Sequence, residues 1–246
     1  LNLEYVKRPD SFSGFLKIFS ALFIVISLLQ QSKRNKINLM IGGSGSLYTA
    51  FASRLLSIPS VVFDDTEHDK VSLFVIRLFA HLIVTPSVFL KNLGSKQRRY
   101  NGYPELSYLH PYYFKPNPDI IESFQLSAKK YIVIRVVSFD AFHDMGYKGI
   151  ESAYLQRLIS FLPKNIKIII ITSKPLPSEL EKYRISIYDG DIHSLLYYAG
   201  LFLGDSMTMS TESTLLGTPS IVINPLPEMG VPRDLEKYGM TWWYKE

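Results

Sequence analysis

Short apolar strands alternate with helical segments along most of the chain, and this alternation constrains the fold more than any other feature. The first half has strands at residues 37–41, 60–63 and 81–85, and helical segments at 47–56 and 71–80. The second half has strands at 131–137, 166–172, 201–204 and 220–223, and helices at 150–161, 192–199 and 209–216. Strands joined by helices form parallel sheets that are covered on both faces. The sequence therefore predicts an α/β fold of two Rossmann-like parallel-sheet domains.

A stretch rich in proline and aromatic residues separates the two halves at residues 102–118. A long segment without periodicity is uncommon inside a compact domain. We therefore expect a first domain over 1–110, a linker over 111–119 and a second domain over 120–246. The first half opens without a leading strand–loop–helix unit, and the second lacks a closing helix. We expect the chain to be truncated at both ends.

Charge and cysteine usage exclude several classes of protein. The formal net charge is +5 over 246 residues, and the basic residues are mostly dispersed, which does not favour nucleic-acid binding. The absence of cysteine excludes disulfides and thiolate metal sites. Residues 64–69 contain four acidic side chains and His68, a set that could hold a hard cation. The same residues suit the start of a helix, and we expect no metal site and no cofactor.

The apolar segment Phe15–Leu29 is shorter than the roughly 20 residues that a membrane-spanning helix needs. The favoured interpretation is a buried helix ahead of a strand. The alternative is a helix that contacts a membrane surface, with the basic residues 33–36 among anionic lipid headgroups. We expect a cytoplasmic protein. The alternative expectation is a protein that binds peripherally to the inner face of the membrane.

The segment GDSMTMSTESTLLGTP, which begins at Gly204, carries the strongest functional signal. A buried strand ends at Asp205, and the helix that follows would leave the amides of Ser206, Met207 and Thr208 unpaired, as at an anion site. Glu212 lies where a carboxylate could accept hydrogen bonds from a ribose diol. Ordinary helix capping explains the same residues equally well on the local pattern alone.

Two further loops follow strand ends. Gly43, Ser44 and Gly45 form a glycine-rich turn that either brings amides near an anion or only joins strand to helix. In the second half, Arg135 precedes the loop 138–148. Arg135 and Lys148 could neutralise a diphosphate, with His143 as proton carrier, whereas an Arg–Asp pair at a strand end is the alternative. His193 is interpreted as structural.

These motifs resemble those of known families. The Glu212 segment is similar to the donor loop of the GT-B superfamily, which includes MurG-type glycosyltransferases and non-hydrolysing UDP-GlcNAc 2-epimerases; Met207 stands where those families have glycine. DTEHD from Asp65, RVVSFDAFHD from Arg135 and HSLLYYAGLFLGDSMTM from His193 resemble the family called domain of unknown function 354. That family has no assigned reaction.

The resemblance implies a GT-B glycosyltransferase that takes a nucleotide-diphosphate sugar, with UDP favoured, and an unknown acceptor that could be membrane-bound. The second domain would bind the donor through Arg135, Ser138, Lys148, residues 206–208 and Glu212, and the first would face the acceptor with residues 43–45. Candidates for catalysis are His68, Asp65 and His143. We expect the Glu212 carboxylate to open into a crevice. The alternatives are a nucleotide-sugar 2-epimerase and a non-catalytic nucleotide-sugar binder or inactive fragment.

Overall fold

The computed structural model describes residues 16–137 and 149–245. The chain divides into two compact units, Leu1–Asn101 and Gly102–Glu246. Each unit is built on one sheet, of four and five strands, and every strand pair in both sheets is parallel. The predicted α/β class with two parallel-sheet units is confirmed.

The first unit places its strands in chain order. The strands are β1 (Met40–Gly42), β2 (Ser60–Phe63), β3 (Leu82–Pro86) and β4 (Gln97–Tyr100), and the helices are α1 (Leu16–Arg34), α2 (Leu47–Leu56) and α3 (Lys70–Phe79). Asp69 begins α3 by accepting hydrogen bonds from the amide (2.9 Å) and hydroxyl (2.5 Å) of Ser72. The helix therefore starts at the end of residues 64–69, as their acidic composition suggested.

The second unit has the strand order β6-β5-β7-β8-β9. Its strands are β5 (Tyr131–Val136), β6 (Lys167–Thr172), β7 (Leu201–Gly204), β8 (Ser220–Ile223) and β9 (Thr241–Tyr244). Its helices are α4 (Leu106–Leu109), α5 (Asp119–Ser123), α6 (Ser152–Phe161), α7 (Ser178–Glu181), α8 (Ile192–Tyr198), α9 (Met207–Leu215) and α10 (Gly230–Glu236), with a 3₁₀ turn at Asp189–Asp191.

Apolar cores cover both faces of the second sheet. Tyr131 and Val133 of β5 point into one core, and Ile132 and Ile134 point into the other. Phe202 of β7 is fully buried in the first of these cores. Successive side chains of a strand point to opposite faces, so a strand buried on both faces is apolar throughout. This explains why the central strands read as continuous apolar runs.

Residues 102–119, part of which was predicted to be a linker, pack within the second unit. Leu109 and Ile120 belong to one of its cores. The hydroxyl of Tyr103 donates to Asp234 of α10 at 2.7 Å, and the amide of Asn117 donates to Ser194 at 3.0 Å. The sequence could not reveal these contacts, because prolines and aromatics indicate irregular backbone without indicating what it packs against.

The edge strand β4 was not predicted from the sequence, because its residues QRRY lack the apolar run that marks the other strands. None of its four residues is fully buried: two are half-buried and two are exposed, as expected of an edge strand. The Arg99 side chain of this strand donates hydrogen bonds to the backbone carbonyls of Ser87 at 2.8 Å and of Lys91 at 2.9 Å. The neighbouring Lys96 ammonium donates to Leu78 at the end of α3 at 3.0 Å.

Helix α1 exposes apolar side chains, contrary to the favoured interpretation of a buried helix. Phe19, Leu22, Phe23 and Ile26 share one face at helical spacing, and Phe19 is 70% exposed. Among residues 16–137 and 149–245, no helix combines the length and the apolar composition that crossing a bilayer requires.

Gly204, the last residue of β7, is needed because β5 comes very close. A methyl group at this position would lie 2.2 Å from the carbonyl oxygen of Arg135, which is backbone and cannot rotate away. We expect Gly204→Ala to lower the free energy of unfolding by about 1–3 kcal/mol, the usual cost of overpacking. Urea unfolding measures this. Gly217→Ala, where a methyl group meets open space but φ is +80°, should cost only about 1 kcal/mol.

Candidate functional site

The order of the strands creates a switch point between β5 and β7. The chain runs from β5 outward to β6 at one edge of the sheet and then returns to β7 on the other side of β5. Loops that leave the two strands diverge at such a point, and open α/β sheets bind ligands in the resulting crevice. Here the carboxyl ends are marked by Val137, after β5, and Asp205, after β7.

Helix α9 starts at this crevice, and its first backbone amides donate to no residue that the structure describes. Ser206 is the cap residue, and its hydroxyl accepts from the amide of Met209 at 3.4 Å. Within the described part of the chain, the amides of Ser206, Met207 and Thr208 have no hydrogen-bond acceptor. Ser206 and Met207 are half-buried and Thr208 is exposed. Such amides, with the positive end of the helix dipole, attract anions.

Met207 fits the position that glycine holds in the families of similar sequence. Ser206 has φ −88° and ψ 109°, and Met207 is the first helical residue, so neither needs a positive φ. The end of the same helix does need one: Gly217 has φ 80°, and the amides of Gly217 and Thr218 donate to Thr214 and Ser213. This is a Schellman ending, as the Gly-x-Pro sequence predicts.

Asp205 joins the segments around the crevice and was not singled out by the sequence. Its carboxylate accepts from the amide of Val137 at 2.8 Å and from that of Ile150 at 3.1 Å, so it ties together both ends of the loop after β5. The side-chain amide of Asn224, after β8, donates to the backbone carbonyl of Asp205 at 2.6 Å. Burial raises the pKa of the Asp205 carboxyl, and the hydrogen bonds from Val137 and Ile150 act in the opposite direction.

Arg135 lies in β5, one residue before the strand ends, and is half-buried. It forms no ion pair with any residue in the ranges 16–137 and 149–245, so the alternative of an Arg–Asp pair finds no support there. Ser138, His143 and Lys148 lie outside the described residues.

Glu212 is buried, which corrects the expectation of a carboxylate open to a crevice. Only 9% of its side chain is exposed. Its Oε1 accepts from the hydroxyl of Tyr108 at 2.8 Å and interacts with Nε2 of His193 at 3.1 Å. Its Oε2 accepts no hydrogen bond from any described residue. A ligand would therefore meet a carboxylate that is already fixed through one oxygen.

The two partners of Glu212 were missed by sequence reasoning. Tyr108 lies in the segment rich in proline and aromatic residues that was expected to separate the two halves, and His193 was interpreted as structural. The spacing of 19 residues between His193 and Glu212 carries no helical or strand periodicity. No local signal could have identified the pair.

In the first unit, the glycine-rich turn after β1 donates to carboxylates after β2. The Ser44 hydroxyl donates to Asp65, and the Gly45 amide lies 3.4 Å from the carboxylate of Asp64. Gly43 is exposed and makes no use of its lack of a side chain, whereas Gly45 has φ +72°. Two carboxylates beside the turn disfavour an anion there. The structure therefore supports the interpretation of a strand-to-helix turn over that of a phosphate loop.

Asp64 is a buried acid of the acidic loop. It is 3% exposed and accepts from the amide of Thr66 at 2.7 Å. Burial raises the pKa of Asp64 to about 6, against the opposing effect of its hydrogen bonds from Thr66 and Gly45. The predicted Asp65 is half-buried, and both ring nitrogens of His68 are buried. A carboxyl that titrates near neutral pH suits proton transfer better than an ordinary aspartate.

Solved structures share this architecture. The alignment with UDP-N-acetylglucosamine 2-epimerase from Rickettsia bellii covers 94% of this chain and 68% of the epimerase chain, at 18% sequence identity and a TM-score of 0.63. The UDP-GlcNAc 2-epimerase from Methanocaldococcus jannaschii, in complex with UDP-GlcNAc and UDP, aligns over 95% of this chain and 72% of its own. Its sequence identity is 12% and its TM-score is 0.65. The glycotransferase of kitacinnamycin aligns over 96% of this chain and 71% of its own, at 9% identity and a TM-score of 0.52. At these identities the likeness shows the fold, which is of the GT-B type.

Among curated proteins, no significant match to the sequence is found. The model of one protein family matches residues 32–241, which span both sheets from the end of α1 to the start of β9. The chain therefore belongs to the family described as protein of unknown function DUF354.

Proposed function

We propose that the chain binds a nucleotide-diphosphate sugar of the UDP type at the carboxyl ends of β5 and β7 and transfers the sugar to an acceptor. The observation that carries this proposal is the set of amides at Ser206, Met207 and Thr208, which donate to no described residue and lie at the switch point of the second sheet. Amides fixed in a helix start stabilise negative charge without reorganising. Arg135, which has no ion-pair partner among the described residues, supplies a full positive charge nearby in β5.

In the transfer step, the acceptor oxygen forms a bond to the anomeric carbon of the sugar. The bond from that carbon to the diphosphate oxygen breaks, and its electron pair leaves with UDP. The amides and Arg135 would stabilise the negative charge that develops on this leaving group. His143 remains a proposed hydrogen-bond donor to the same group.

The proton of the acceptor hydroxyl needs a base, and Asp65 and His68 of the first unit remain the proposed candidates. Asp65 is half-buried, and Asp64 has a pKa of about 6. A base must come within hydrogen-bond reach of the proton that it removes. We therefore rank the half-buried Asp65 ahead of His68, whose ring nitrogens are buried.

Calorimetric titration tests the binding proposal. We expect UDP to bind, and Glu212→Ala to weaken its binding by about 1–3 kcal/mol, the usual effect of losing hydrogen bonds to a charged group. Glu212→Gln separates charge from shape, because its amide oxygen can still accept from Tyr108. Glu179→Ala, at an exposed glutamate of α7, is the matched control and should bind as the wild type does. Failure of UDP, GDP and ADP alike to bind would refute the proposal.

The second candidate function is a 2-epimerase, favoured by the fold of the UDP-GlcNAc 2-epimerases described above. Incubation with UDP-GlcNAc alone distinguishes the two reactions. An epimerase would form the C2-inverted sugar nucleotide, visible by NMR, without any acceptor. A transferase should leave the configuration at C2 unchanged, and we expect this result.

A further inference from the structure

Two donors from different helices hold the same oxygen of Glu212. The hydroxyl of Tyr108, in α4, lies 2.8 Å from Oε1, and Nε2 of His193, in α8, lies 3.1 Å from it. Two anchors on one oxygen fix the torsion of the carboxylate. The direction of Oε2 is thereby set before any ligand arrives, while its acceptor capacity is not used by a described residue.

The donors are themselves held in place by aromatic packing. The rings of Tyr108 and His193 lie 5.4 Å apart, and Phe114 packs edge-on against His193 at 6.2 Å. The His193 side chain is 23% exposed. A histidine enclosed in this way and facing a carboxylate has little freedom to turn. The three side chains form a preorganised unit, which lowers the entropic cost of binding whatever Oε2 contacts.

We propose that Tyr108 and His193 are positioning residues that make the site specific for ribonucleotides, by aiming Oε2 of Glu212 at the ribose hydroxyls. This inference rests on the proposed nucleotide-diphosphate site. A fixed, nearly buried acceptor rejects a ligand that lacks the hydroxyl, because the acceptor is then left unpaired. Without its anchors the carboxylate can turn, take up water and lose this discrimination.

Calorimetry with UDP, 2′-deoxy-UDP and inorganic pyrophosphate tests the inference on the full chain. The wild type should prefer UDP to 2′-deoxy-UDP by about tenfold or more, as expected for a hydrogen bond to a charged group. In Tyr108→Phe and His193→Leu the preference should fall to about twofold. Pyrophosphate, which has no ribose, should bind these variants as it binds the wild type, and a merely structural role would not separate the ligands in this way.

Two controls sharpen the result. His193→Gln keeps an N–H donor and should retain part of the preference, unlike His193→Leu. Tyr112 lies four residues after Tyr108 and is 78% exposed. Tyr112→Phe also removes a tyrosine hydroxyl, but it should leave the preference for UDP over 2′-deoxy-UDP unchanged.

The outcomes separate the inference from the function on which it rests. If the wild type binds UDP but Tyr108→Phe and His193→Leu keep the full preference for ribose, the positioning role is wrong and the proposed function stands. If the wild type binds pyrophosphate and UDP without discriminating against the deoxy form, the role is equally wrong. If it binds no nucleoside diphosphate, both fail.

Discussion

Replacing Asp205 with alanine should lower the free energy of unfolding of the second unit by about 2–6 kcal/mol, because two backbone amides lose their acceptor at about 1–3 kcal/mol each. Asp205 is 1% exposed, and its carboxylate accepts from Val137 and Ile150 at 2.8 and 3.1 Å. Water cannot replace the carboxylate without opening the packing around Ile150, which is 4% exposed. Urea unfolding followed by circular dichroism measures the change.

The Asp205 variants can be graded. Asp205→Asn keeps one acceptor oxygen but turns an NH₂ group toward the second amide, so its cost should fall between those of the wild type and the alanine variant. Asp189→Ala removes an exposed aspartate of the same unit and should stay within about 0.5 kcal/mol of the wild type. Hydrogen exchange at Val137 and Ile150 should accelerate in Asp205→Ala. A cost no larger than that of the Asp189 control would show that the loop ends are held by other contacts.

The stability of the first unit should depend on pH through Asp64. Its pKa in the folded chain is about 6, above the 3.8 of a free aspartate. Between these values the folded chain holds more protons than the unfolded chain, so stability must fall as pH rises. The full effect is about 3 kcal/mol, reached above the folded pKa.

Comparison with Asp64→Asn isolates this effect, because asparagine does not titrate. Between about pH 4.5 and about pH 7.5 the wild type should lose about 2 kcal/mol relative to the variant. Urea unfolding at several pH values gives the difference, and carbon-13 NMR of the Asp64 carboxyl gives the midpoint directly. Parallel stability profiles for the two proteins, or a midpoint near 4, would contradict the burial of an acid at this position.

Several elements could be predicted from the sequence because their signals are local. β2, β7, β8 and α2 have the boundaries that the apolar periodicity predicts, and Gly217 ends α9 as expected. The start of α9 at Ser206, with its unpaired amides, also follows from residue types next to each other in the chain. Each of these features depends on neighbours within about one or two helical turns.

Other features depend on residues that are distant in the chain, and no local pattern indicated them. Helix α9 is buried on most sides although it is rich in hydroxyl residues, because Ser210 and Thr214 share hydrogen bonds with Ser220 of β8 and Thr241 of β9 at 2.7–3.1 Å. The strand that contains Thr241 was itself not predicted. Buried hydroxyls are stable only when paired, and pairing is decided by the packing of the helix on the sheet.

The sequence by itself determined the two parallel-sheet units, the strand ends where polar loops gather and the anion-type start of α9, since all three follow from local periodicity and capping. Only the tertiary structure decided that Glu212 is enclosed, that Tyr108 and His193 hold it, and that Asp205 and Asp64 are strongly buried. The physical reason is that burial and hydrogen-bond partners arise when distant segments meet. Those meetings set the direction of a carboxylate and the affinity of a carboxyl for its proton.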